Sequence, residues 1–321
     1  MISIIIPVYV LTDYFYESLE KCLELNYPNY EILIGVDSGI KIPYKSKKIR
    51  VLKTNKSRTG PAEKRDIGIR RAKGEIIAFL DDDSYPHKDW LKKAASVMAK
   101  KKVSSVCGPG LTPPADSFSQ KITGAILESP LGSGPYSYRF AKRESRFVDD
   151  YPAYNMFVKR DVLIRVGGFG TKFYGGEDTA ICIKLTNAGE KIFYDPRIVV
   201  YHHRRRFPFE YLKQVGNVGM HRGYFVKKYP QTSLRFTYFG PAILTIFIFC
   251  LTVFITINVQ TEVLFFLLLI FVATYVFVFL VSFIQSPFLI SLILPFAILL
   301  HHFEYGLQFL RGLFLIDKME R

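Results

Sequence analysis

Two long runs without a charged residue lie in the last third of this 321-residue chain. Residues 241–259 and 263–284 contain no Asp, Glu, Lys or Arg. A helix needs roughly 20 consecutive apolar residues to cross the hydrocarbon core of a bilayer. The short connection Gln260-Thr261-Glu262 is typical of a turn, so the two runs predict a hairpin of membrane-spanning helices over about 240–259 and 263–284.

A third apolar run, residues 287–300, is shorter and continues into His301-His302-Phe303-Glu304-Tyr305. It predicts a third helix over about 287–310, which either spans the membrane or turns into an amphipathic helix at its surface. Arg311 and Lys318 favour the second alternative, because basic residues near a span prefer the cytoplasmic side. The first alternative places the C-terminal tail outside.

The net charge of +15 lies entirely before these runs. Residues 231–321 hold four basic and four acidic residues, so the whole excess belongs to residues 1–230. A basic surface favours polyanions such as nucleotide diphosphates and anionic lipid headgroups. Nucleic acid is not expected as a partner, because the sequence has no zinc-finger spacing and no basic helix with base-reading residues. We expect two domains, a soluble one over 1–230 and a membrane one over 231–321.

The N-terminal residues and the cysteines favour a cytoplasmic location for the first domain. The run Ile2-Ser3-Ile4-Ile5-Ile6-Pro7-Val8 is too short for a signal peptide, has no basic leader, and predicts a buried strand. The four cysteines are scattered without a C-x-x-C pair, as in reduced intracellular chains. The expected arrangement is a multi-pass membrane protein whose soluble domain faces the cytoplasm.

Strands and helices alternate over the first hundred residues. Apolar runs predict strands over 2–8, 30–36, 49–53, 75–80 and 103–108. Residues at helical spacing predict helices over 14–25, 62–72 and 89–100. Repeated β-α-β units indicate an α/β fold with a mostly parallel sheet. Residues 109–150 are rich in Pro, Gly and Ser and predict a long functional loop or lid.

Three adjacent aspartates, Asp81, Asp82 and Asp83, follow the strand predicted over 75–80. Ligands of open α/β sheets bind beyond the carboxyl ends of the strands, and adjacent carboxylates repel one another unless a cation lies near them. Oxygen ligands suit Mg²⁺ or Mn²⁺, so Asp81 and Asp83 are predicted to flank one divalent cation. The alternative is an acidic, solvated turn that caps the helix after it.

A second acidic pair, Glu177 and Asp178, follows Gly175 and Gly176. Glycines let the backbone turn tightly and approach a substrate closely, and a carboxylate within reach of a hydroxyl can remove its proton. This pattern predicts a general base. The alternative is that both acids are first-turn residues of the helix predicted over 179–187, where the helix dipole favours them.

Three further groups have two interpretations each. Asn155 either helps to bind a sugar or acceptor, or is a hydrogen-bonded turn residue. His202 and His203 are metal ligands or hydrogen-bond donors near neutral pH, or else surface and packing residues. The run Arg204-Arg205-Arg206 either neutralises a leaving diphosphate or forms a basic patch that faces the membrane.

The order and spacing of these motifs resemble family-2 glycosyltransferases with the A-type nucleotide-sugar fold. The resemblance covers about residues 1–210. Its segments are Ser3-Ile4-Ile5-Ile6-Pro7-Val8-Tyr9, Asn26-Tyr27-Pro28-Asn29-Tyr30-Glu31-Ile32, Val36-Asp37-Ser38-Gly39, Gly60-Pro61-Ala62-Glu63-Lys64-Arg65-Asp66-Ile67-Gly68, Ala72-Lys73-Gly74-Glu75, Asp81-Asp82-Asp83, Gly167-Gly168-Phe169 and Gly176-Glu177-Asp178. A C-terminal helical hairpin is common in membrane members of that family. The resemblance therefore implies an α/β fold of the A type followed by transmembrane helices.

The resemblance also implies roles for individual residues. Asp37 would contact the nucleobase, and His202 would close the donor site near the metal. Asp178, with Glu177 beside it, would be the general base. The implied residues are, for the donor, Pro7, Tyr9, Asp37, Lys64, Arg65, Asp81, Asp82, Arg205 and Arg206; for the acceptor, Asn155 and Gly176; for the metal, Asp81, Asp83 and His202; and for catalysis, Asp178 and Glu177.

The chain departs from the family pattern at three places. Ser38 stands where a second acid often follows the first, which leaves the choice of nucleobase open. Gly170 stands where an acid often follows Gly-Gly-Phe. The segment 203–207 lacks the tryptophan of the Q-x-x-R-W motif that processive synthases carry.

The expected function is that of a membrane-anchored, inverting, metal-dependent glycosyltransferase. Its expected partners are a nucleotide-diphosphate sugar, a lipid-linked or cell-envelope glycan with an acceptor hydroxyl, membrane lipids, and Mg²⁺ or Mn²⁺ as cofactor. One alternative is a polyprenyl-phosphate glycosyltransferase, whose anionic acceptor needs no base. Another is a catalytically silent membrane scaffold that binds nucleotide sugars. A processive synthase would need more spans than the two or three predicted.

Overall fold

The computed structural model describes residues 1–44, 46–171, 175–257, 261–284, 286–316 and 319. These residues form two compact units. The first comprises Met1–Pro113, Tyr138–His203 and Met319–Arg321, and the second comprises Pro114–Ser137 and Arg204–Lys318.

The strands that the structure describes belong to the first unit. They are β1 (Ile2–Pro7), β2 (Tyr30–Val36), β3 (Ile49–Lys53), β4 (Ile76–Leu80), β5 (Ser84–Pro86), β6 (Ser105–Cys107), β7 (Gly110–Leu111), β8 (Arg146–Val148), β9 (Asn155–Lys159), β10 (Ile192–Tyr194) and β11 (Val200–His202). Within the described chain, eight strands form one sheet in the order β3-β2-β1-β4-β9-β6-β10-β8. Only β9 and β8 run antiparallel to their neighbours in it, and β5, β11 and β7 form a small second sheet. The predicted mostly parallel sheet is confirmed.

The helices are α1 (Asp13–Leu23), α2 (Pro61–Arg71), α3 (Trp90–Lys101), α4 (Phe118–Glu128), α5 (Pro130–Ser133), α6 (Arg160–Arg165), α7 (Glu177–Asn187), α8 (Phe209–Lys228), α9 (Pro230–Ser233), α10 (Phe236–Ile257), α11 (Thr261–Phe283) and α12 (Phe288–Phe314). A 3₁₀ helix covers Gly134–Arg139. The helices α1, α2, α3, α6 and α7 lie in the first unit, and the others lie in the second.

Burial explains the central strands. Every residue of β1 and β2 is buried, as expected for parallel strands that are covered on both faces. Helix α2 lies close against β1, because a Cβ atom at Gly68 would come within 2.8 Å of the Ile5 side chain. This close approach fixes the backbone of α2, and with it Lys64 and Arg65, next to the sheet.

The carboxyl ends of three parallel strands meet at one edge of the large sheet. Strands β2, β1 and β4 are adjacent and parallel, and Asp37 and Asp81 directly follow β2 and β4. In the small sheet, His202 pairs with Ser84, which is the residue after Asp83. The topology therefore gathers residues that are far apart in sequence.

The segment over 109–150 is more regular than predicted, because it contains α4, α5, the 3₁₀ helix and β8. Helix α4 begins with a capping box. The Ser117 hydroxyl accepts a hydrogen bond from the backbone N–H of Gln120, and the Gln120 side chain accepts one from the backbone N–H of Ser117. The prediction of a long loop is wrong at residues 118–128, where the S-x-x-Q pattern before apolar residues was the available signal.

Three helices of the second unit are long and apolar enough to cross a membrane. Their candidate spans are Phe236–Phe254, Phe265–Phe283 and Phe288–Phe314. The first two correspond to the predicted hairpin, although Gln260 of its connection lies outside the described residues. The third is one continuous helix of 27 residues, longer than the helix predicted over about 287–310.

Helix α8 packs against α12 through glycines. Cβ atoms at Gly219 and Gly223 would overlap the backbone carbonyl oxygens of Tyr305 and Phe309. Small residues of this kind let the backbones of membrane helices approach each other closely. Residues 204–228 consequently belong to the same compact unit as the apolar helices, whereas the sequence placed the domain boundary at residue 230.

Candidate active site

Lys64 and Asp37 form a buried ion pair at the end of β2. The Lys64 ammonium donates to Asp37 Oδ2 (2.9 Å) and to the carbonyl oxygen of Val8 (2.7 Å), and the Thr54 hydroxyl donates to Asp37 Oδ1 (3.1 Å). Burial by itself raises the pKa of Asp37. The hydrogen bonds and charge of Lys64, together with the hydroxyls of Thr54 and Thr59, outweigh burial and hold this pKa below its ordinary value.

Arg65, the next residue of α2, contacts three carboxylates. Its Nη2 donates to Asp81 Oδ1 (2.6 Å), and its Nη1 donates to Glu177 Oε1 (3.2 Å) and Asp178 Oδ1 (3.3 Å). The Arg65 side chain is 3% exposed, whereas those of Asp81 and Asp178 are 31% and 28% exposed. One guanidinium therefore joins the two acidic motifs that the sequence singled out.

The burial of both cations differs from the predicted direct contact with the donor. Lys64 is 2% exposed, as is Arg65, and each uses its charge on carboxylates of the same unit. The predicted nucleobase contact of Asp37 stays a prediction. The structure adds that its carboxylate is already set in place by Lys64 and Thr54.

Helix α7 begins at the second acidic motif. Gly175 and Gly176 have φ angles of 92° and 91°, a left-handed conformation that favours glycine. The Gly175 N–H donates to Glu177 Oε2 (2.9 Å), so Glu177 uses one carboxylate oxygen on its own turn and the other on Arg65. This geometry supports a structural task for Glu177 and leaves Asp178 as the stronger candidate base. The predicted acceptor contact of Gly176 stays a prediction.

The environment of Asp178 suits proton transfer near neutral pH. Burial raises the pKa of Asp178 to about 7, the negative charge of Glu177 adds to the increase, and Arg65 partly offsets it. A base is most effective when its pKa lies near the working pH. Asp178 is at the same time a first-turn residue of α7, so the two sequence interpretations are compatible.

The turn over 167–170 supports Arg65. Asp66 accepts hydrogen bonds from the backbone N–H groups of Phe169 (2.7 Å) and Gly170 (2.9 Å). This places the Phe169 ring centre 5.3 Å from the Arg65 guanidinium, within the range of a cation–π contact. The Gly-Gly-Phe motif thus contributes indirectly, because its phenylalanine ring packs beside the Arg65 guanidinium.

Two of the three predicted metal ligands lie side by side. His202 Nε2 is 3.1 Å from Asp83 Oδ1, whereas Asp81 is bound to Arg65. Among the residues that the structure describes, no three His, Cys, Asp or Glu side chains are grouped to hold an ion by themselves. Adjacent ligands of an octahedral ion with bonds of about 2.1 Å lie about 3 Å apart. Asp83 and His202 would be two ligands of such an ion, and its remaining ligands would come from outside this pair.

His203 has a different partner from its neighbour His202. Its Nε2 lies 2.8 Å from Glu17 Oε2, and its ring stacks on that of Tyr14 with centroids 3.9 Å apart. Its backbone N–H donates to the carbonyl oxygen of Asp83 (3.0 Å). No sequence motif points to Glu17 or Tyr14, because both lie on an ordinary amphipathic helix, α1.

Asn155 is part of the framework. It has no exposed surface, and its Oδ1 accepts from Trp90 Nε1 (2.8 Å). Its Nδ2 donates to the carbonyl oxygens of Gly108 (2.6 Å), Pro109 (3.1 Å) and Ile198 (2.8 Å). The geometry corrects the acceptor assignment, because the side chain is committed to joining β9 with its surroundings, in line with the alternative of a hydrogen-bonded residue.

The remaining donor residues occupy different settings. Pro7 is the buried last residue of β1, Tyr9 is 52% exposed two residues later, and Asp82 lies partly exposed between the other two aspartates. Arg205 and Arg206 are exposed and belong to the second unit. Their contacts with a donor stay predictions.

The family model described as glycosyl transferase family 2 matches residues 3–167, which is more than half of the chain. The chain belongs to glycosyl transferase family 2. The predicted family is thereby confirmed, and the matched region contains Asp37, Lys64, Arg65 and Asp81–Asp83 but ends before Asp178.

Two relatives come from Haloferax volcanii. Glycosyltransferase AglE is 27% identical over 235 residues, which are 68% of this chain and 71% of the relative. Glucosyl-dolichyl phosphate glucuronosyltransferase is 23% identical over 217 residues, which are 63% of this chain and 68% of the relative. Among solved structures, the mannosyltransferase PcManGT from Pyrobaculum calidifontis, in complex with GDP-Man and Mn²⁺, has a TM-score of 0.61 and 16% identity. That likeness covers 98% of this chain and 87% of the other, and it confirms the A-type fold.

Proposed function

We propose that this chain is a membrane-anchored, inverting glycosyltransferase that moves a sugar from a nucleotide-diphosphate donor to a hydroxyl of a lipid-linked or cell-envelope glycan. The observation that carries the proposal is the position of Asp178. Its carboxylate is partly exposed, has a pKa near neutrality, and shares one guanidinium with Asp81 at the carboxyl edge of the sheet. An acceptor hydroxyl needs such a base next to the donor site.

The proposed reaction is a single displacement. Asp178 accepts the proton of the acceptor hydroxyl, whose oxygen forms a bond to C1 of the sugar. The bond from C1 to the diphosphate oxygen breaks on the opposite face, so the configuration at C1 inverts. Asp83 and His202 would hold Mg²⁺ or Mn²⁺, which supplies Lewis-acid stabilisation for the charge on the leaving diphosphate.

The acceptor assignment draws on the second unit and on the relatives. Within the described residues, three helices are long and apolar enough to span a membrane, and anchoring would raise the local concentration of membrane substrates. The name of one relative specifies a glucosyl-dolichyl phosphate acceptor. We infer an acceptor of this class, with the catalytic unit on the cytoplasmic face.

Two alternatives lead to different results. A polyprenyl-phosphate glycosyltransferase would have an acceptor that is already anionic, and Asp178 would then not be needed for proton removal. A silent scaffold would bind nucleotide sugar without turnover. Asp178 is partly exposed at the carboxyl edge of the sheet and has a pKa near neutrality, which suits proton removal from a hydroxyl, a step that neither alternative requires.

The proposal is tested first by donor binding. Detergent-solubilised full-length protein is screened by thermal unfolding with UDP-glucose, UDP-N-acetylglucosamine, UDP-glucuronic acid and GDP-mannose, each with and without Mn²⁺. One donor should raise the unfolding temperature only with Mn²⁺ present. Calorimetry should show that Asp83→Ala removes the Mn²⁺-dependent binding, while the matched neighbour variant Asp82→Ala keeps most of it. Equal donor affinity in wild type and Asp83→Ala would reject the metal assignment.

Turnover is then measured with two acceptors. Polyprenyl-phosphate-linked glucose offers sugar hydroxyls, and polyprenyl phosphate offers only its phosphate. Transfer to the first and not to the second supports the proposed function. The reverse result supports the polyprenyl-phosphate alternative, and donor binding without transfer to either acceptor or to a membrane lipid extract supports the scaffold.

A further inference from the structure

We propose that Arg65 is a positioning residue that holds the base at a fixed distance from the donor edge of the sheet. This inference rests on the proposed function, because it assigns to Arg65 an effect that passes through Asp178. It replaces the direct contact with the donor that the sequence predicted. The residue acts on the chemistry without touching the reacting atoms.

The Arg65 guanidinium contacts both acidic motifs at once. The two terminal nitrogens of Arg65 serve different motifs, since Nη2 binds Asp81 and Nη1 binds Glu177 and Asp178. A planar guanidinium keeps its nitrogens at a fixed separation. The distance between the end of β4 and the start of α7 is consequently set by one rigid group.

Arg65 is itself buried and closely packed, although its Nε makes no hydrogen bond within the described residues. Its helix is seated on β1 through Gly68 and Ile5, its side chain is 3% exposed, and the Phe169 ring lies 5.3 Å from the guanidinium. A group with so little freedom can transmit a position. An exposed arginine would swing with its carboxylates and could not do so.

The three carboxylates that contact Arg65 differ in their exposure to solvent. Glu177 is 9% exposed and is bound to its own turn as well as to Arg65, whereas Asp81 and Asp178 are open on one side. The guanidinium thus contacts the buried side of the Asp81 and Asp178 carboxylates, and their solvent-exposed side remains accessible to ligands. Lysine at position 65 would keep the charge, but a single nitrogen cannot reach both motifs in the same way.

The experiment is a double-mutant cycle. Arg65→Lys, Asp178→Asn and the double variant are compared in single-turnover transfer from the donor of the screen to polyprenyl-phosphate-linked glucose, at saturating donor. Arg65→Lys should lower the transfer rate on the order of 10²-fold, as expected when a reacting group is displaced by about 1 Å. Donor affinity with Mn²⁺, measured by calorimetry, should change by less than about threefold, because the fixed distance matters to the chemical step. In the Asp178→Asn background the same substitution should have almost no further effect.

Two controls separate positioning from folding. Arg50→Lys changes another arginine that binds a carboxylate in the same unit, Glu31 at 2.7 Å, and should leave transfer near the wild-type rate. Phe169→Leu removes the ring beside the guanidinium and should lower transfer in the same direction, again without additivity with Asp178→Asn. This second variant keeps the inference testable if Arg65→Lys does not fold.

The outcomes distinguish the inference from the proposed function. If Asp178→Asn transfers sugar as fast as the wild type, the base assignment fails. If Asp178→Asn is slow but Arg65→Lys transfers at the wild-type rate, or adds its full effect to that of Asp178→Asn, the positioning inference alone is overturned. A loss of donor affinity proportional to the loss of rate would overturn it as well, because Arg65 would then act on the donor.

Discussion

Lys64 and Arg65 are neighbours on one helix, yet they organise charge in opposite ways. Lys64 meets one carboxylate, Asp37, and both side chains are at most 3% exposed. Arg65 is equally buried but meets three carboxylates, two of which are about 30% exposed. The first arrangement is balanced and closed. The second has more negative than positive charge and is open.

This difference indicates which carboxylates are accessible to a proton or a metal ion. A balanced buried pair has no reason to bind another cation, and breaking it leaves an uncompensated charge in the interior. An excess of carboxylates on a partly exposed surface favours a further positive charge, either a proton or a metal ion. The contrast therefore separates a buried structural ion pair from carboxylates that we propose take part in the reaction.

His202 and His203 repeat the contrast at the end of β11. His202 lies against Asp83, and both are partly exposed, at 17% and 14%. His203 is 6% exposed, bonded to Glu17 and stacked on Tyr14. Lys64 and His203 thus contact groups of the structural framework. Arg65 and His202 contact aspartates that are partly exposed.

The largest expected effect is on turnover. Asp178→Asn should lower single-turnover transfer by on the order of 10²–10⁴-fold, the usual contribution of a general base, without loss of stability, because it removes one like charge from an acidic group. Asp37→Asn should instead lower stability, because it leaves Lys64 buried without its counter-charge. Both variants are measured by transfer rate and by unfolding. A stable Asp37→Asn beside an unstable Asp178→Asn would reverse the comparison.

The next effect is on stability. Lys64→Met should lower the free energy of unfolding by about 3–5 kcal/mol, the cost of leaving one partner of a buried ion pair unpaired. The matched control is Lys56→Met, since Lys56 pairs with Glu63 at 3.2 Å on the surface and should cost at most about 1 kcal/mol. Urea unfolding is followed by the fluorescence of Trp90, the single tryptophan of the chain, which is buried in the first unit. Equal midpoints for the two variants would remove the structural role of the Lys64 pair.

The framework was readable from the sequence where local pattern decides structure. The strands before Asp37 and Asp81 are predictable because short continuous apolar runs favour buried strands. The acids that follow these strands lie at the sheet edge where ligands of open α/β folds bind. The starts of α7 and α4 carry glycine and capping signals. At Ser117, the capping box S-x-x-Q lies in a region whose Pro, Gly and Ser content predicts a loop, so the helix is missed.

The roles of Lys64 and Arg65 could not be read in the same way. A basic residue beside an anionic donor suggests direct contact, and nothing local says that the side chain is buried. The burial of Arg65 depends on Phe169, which is distant in sequence, and on the seating of α2 through Gly68. Likewise, Asn155 lies in a strand whose partners Trp90 and Ile198 are far along the chain. These roles depend on contacts between residues that are far apart in sequence, and a local sequence pattern cannot reveal such contacts.

The pH dependence of catalysis should report the open acidic group. The pKa of Asp178 lies near 7, so kcat/KM should rise about tenfold per pH unit below that value and level off above it. Asp178→Asn should lose this limb. The Lys64 pair should contribute nothing to the profile, because the pKa of Asp37 is lowered and its carboxylate is ionised throughout. A limb that persists in Asp178→Asn would assign it to another group.

Stability should depend on pH in the opposite sense at this residue. The folded state keeps a proton on Asp178 up to about pH 7, whereas the unfolded carboxyl releases it near its ordinary pKa of 3.8. The folded state thus binds more protons between these values, and the contribution of Asp178 to stability falls as the pH rises from about 4 to about 7. Asp178→Asn should flatten this part of the curve in urea unfolding at pH 5 and pH 8.

The smallest expected effect sharpens the comparison at the histidines. Glu17→Gln weakens the support of His203, whose backbone N–H donates to the carbonyl oxygen of Asp83. Residues that orient metal ligands from outside typically change metal affinity by 10–100-fold. Because Glu17 acts through a backbone contact, we expect the lower end, about tenfold weaker Mn²⁺ binding by calorimetry in the presence of the nucleoside diphosphate.

The comparison variant is Glu20→Gln on the same helix, because Glu20 bonds to Tyr44 away from the histidines. It should leave Mn²⁺ affinity unchanged and so exclude a general effect of charge on α1. Donor binding without metal should be equal in both variants, since neither residue contacts the Lys64 pair. If Glu17→Gln and Glu20→Gln bind Mn²⁺ equally well, His203 only packs, and Asp83 is held by the end of the β5–β11 ladder alone. If only Glu17→Gln binds Mn²⁺ more weakly, the buried His203 helps to position Asp83, the residue that the more exposed His202 contacts.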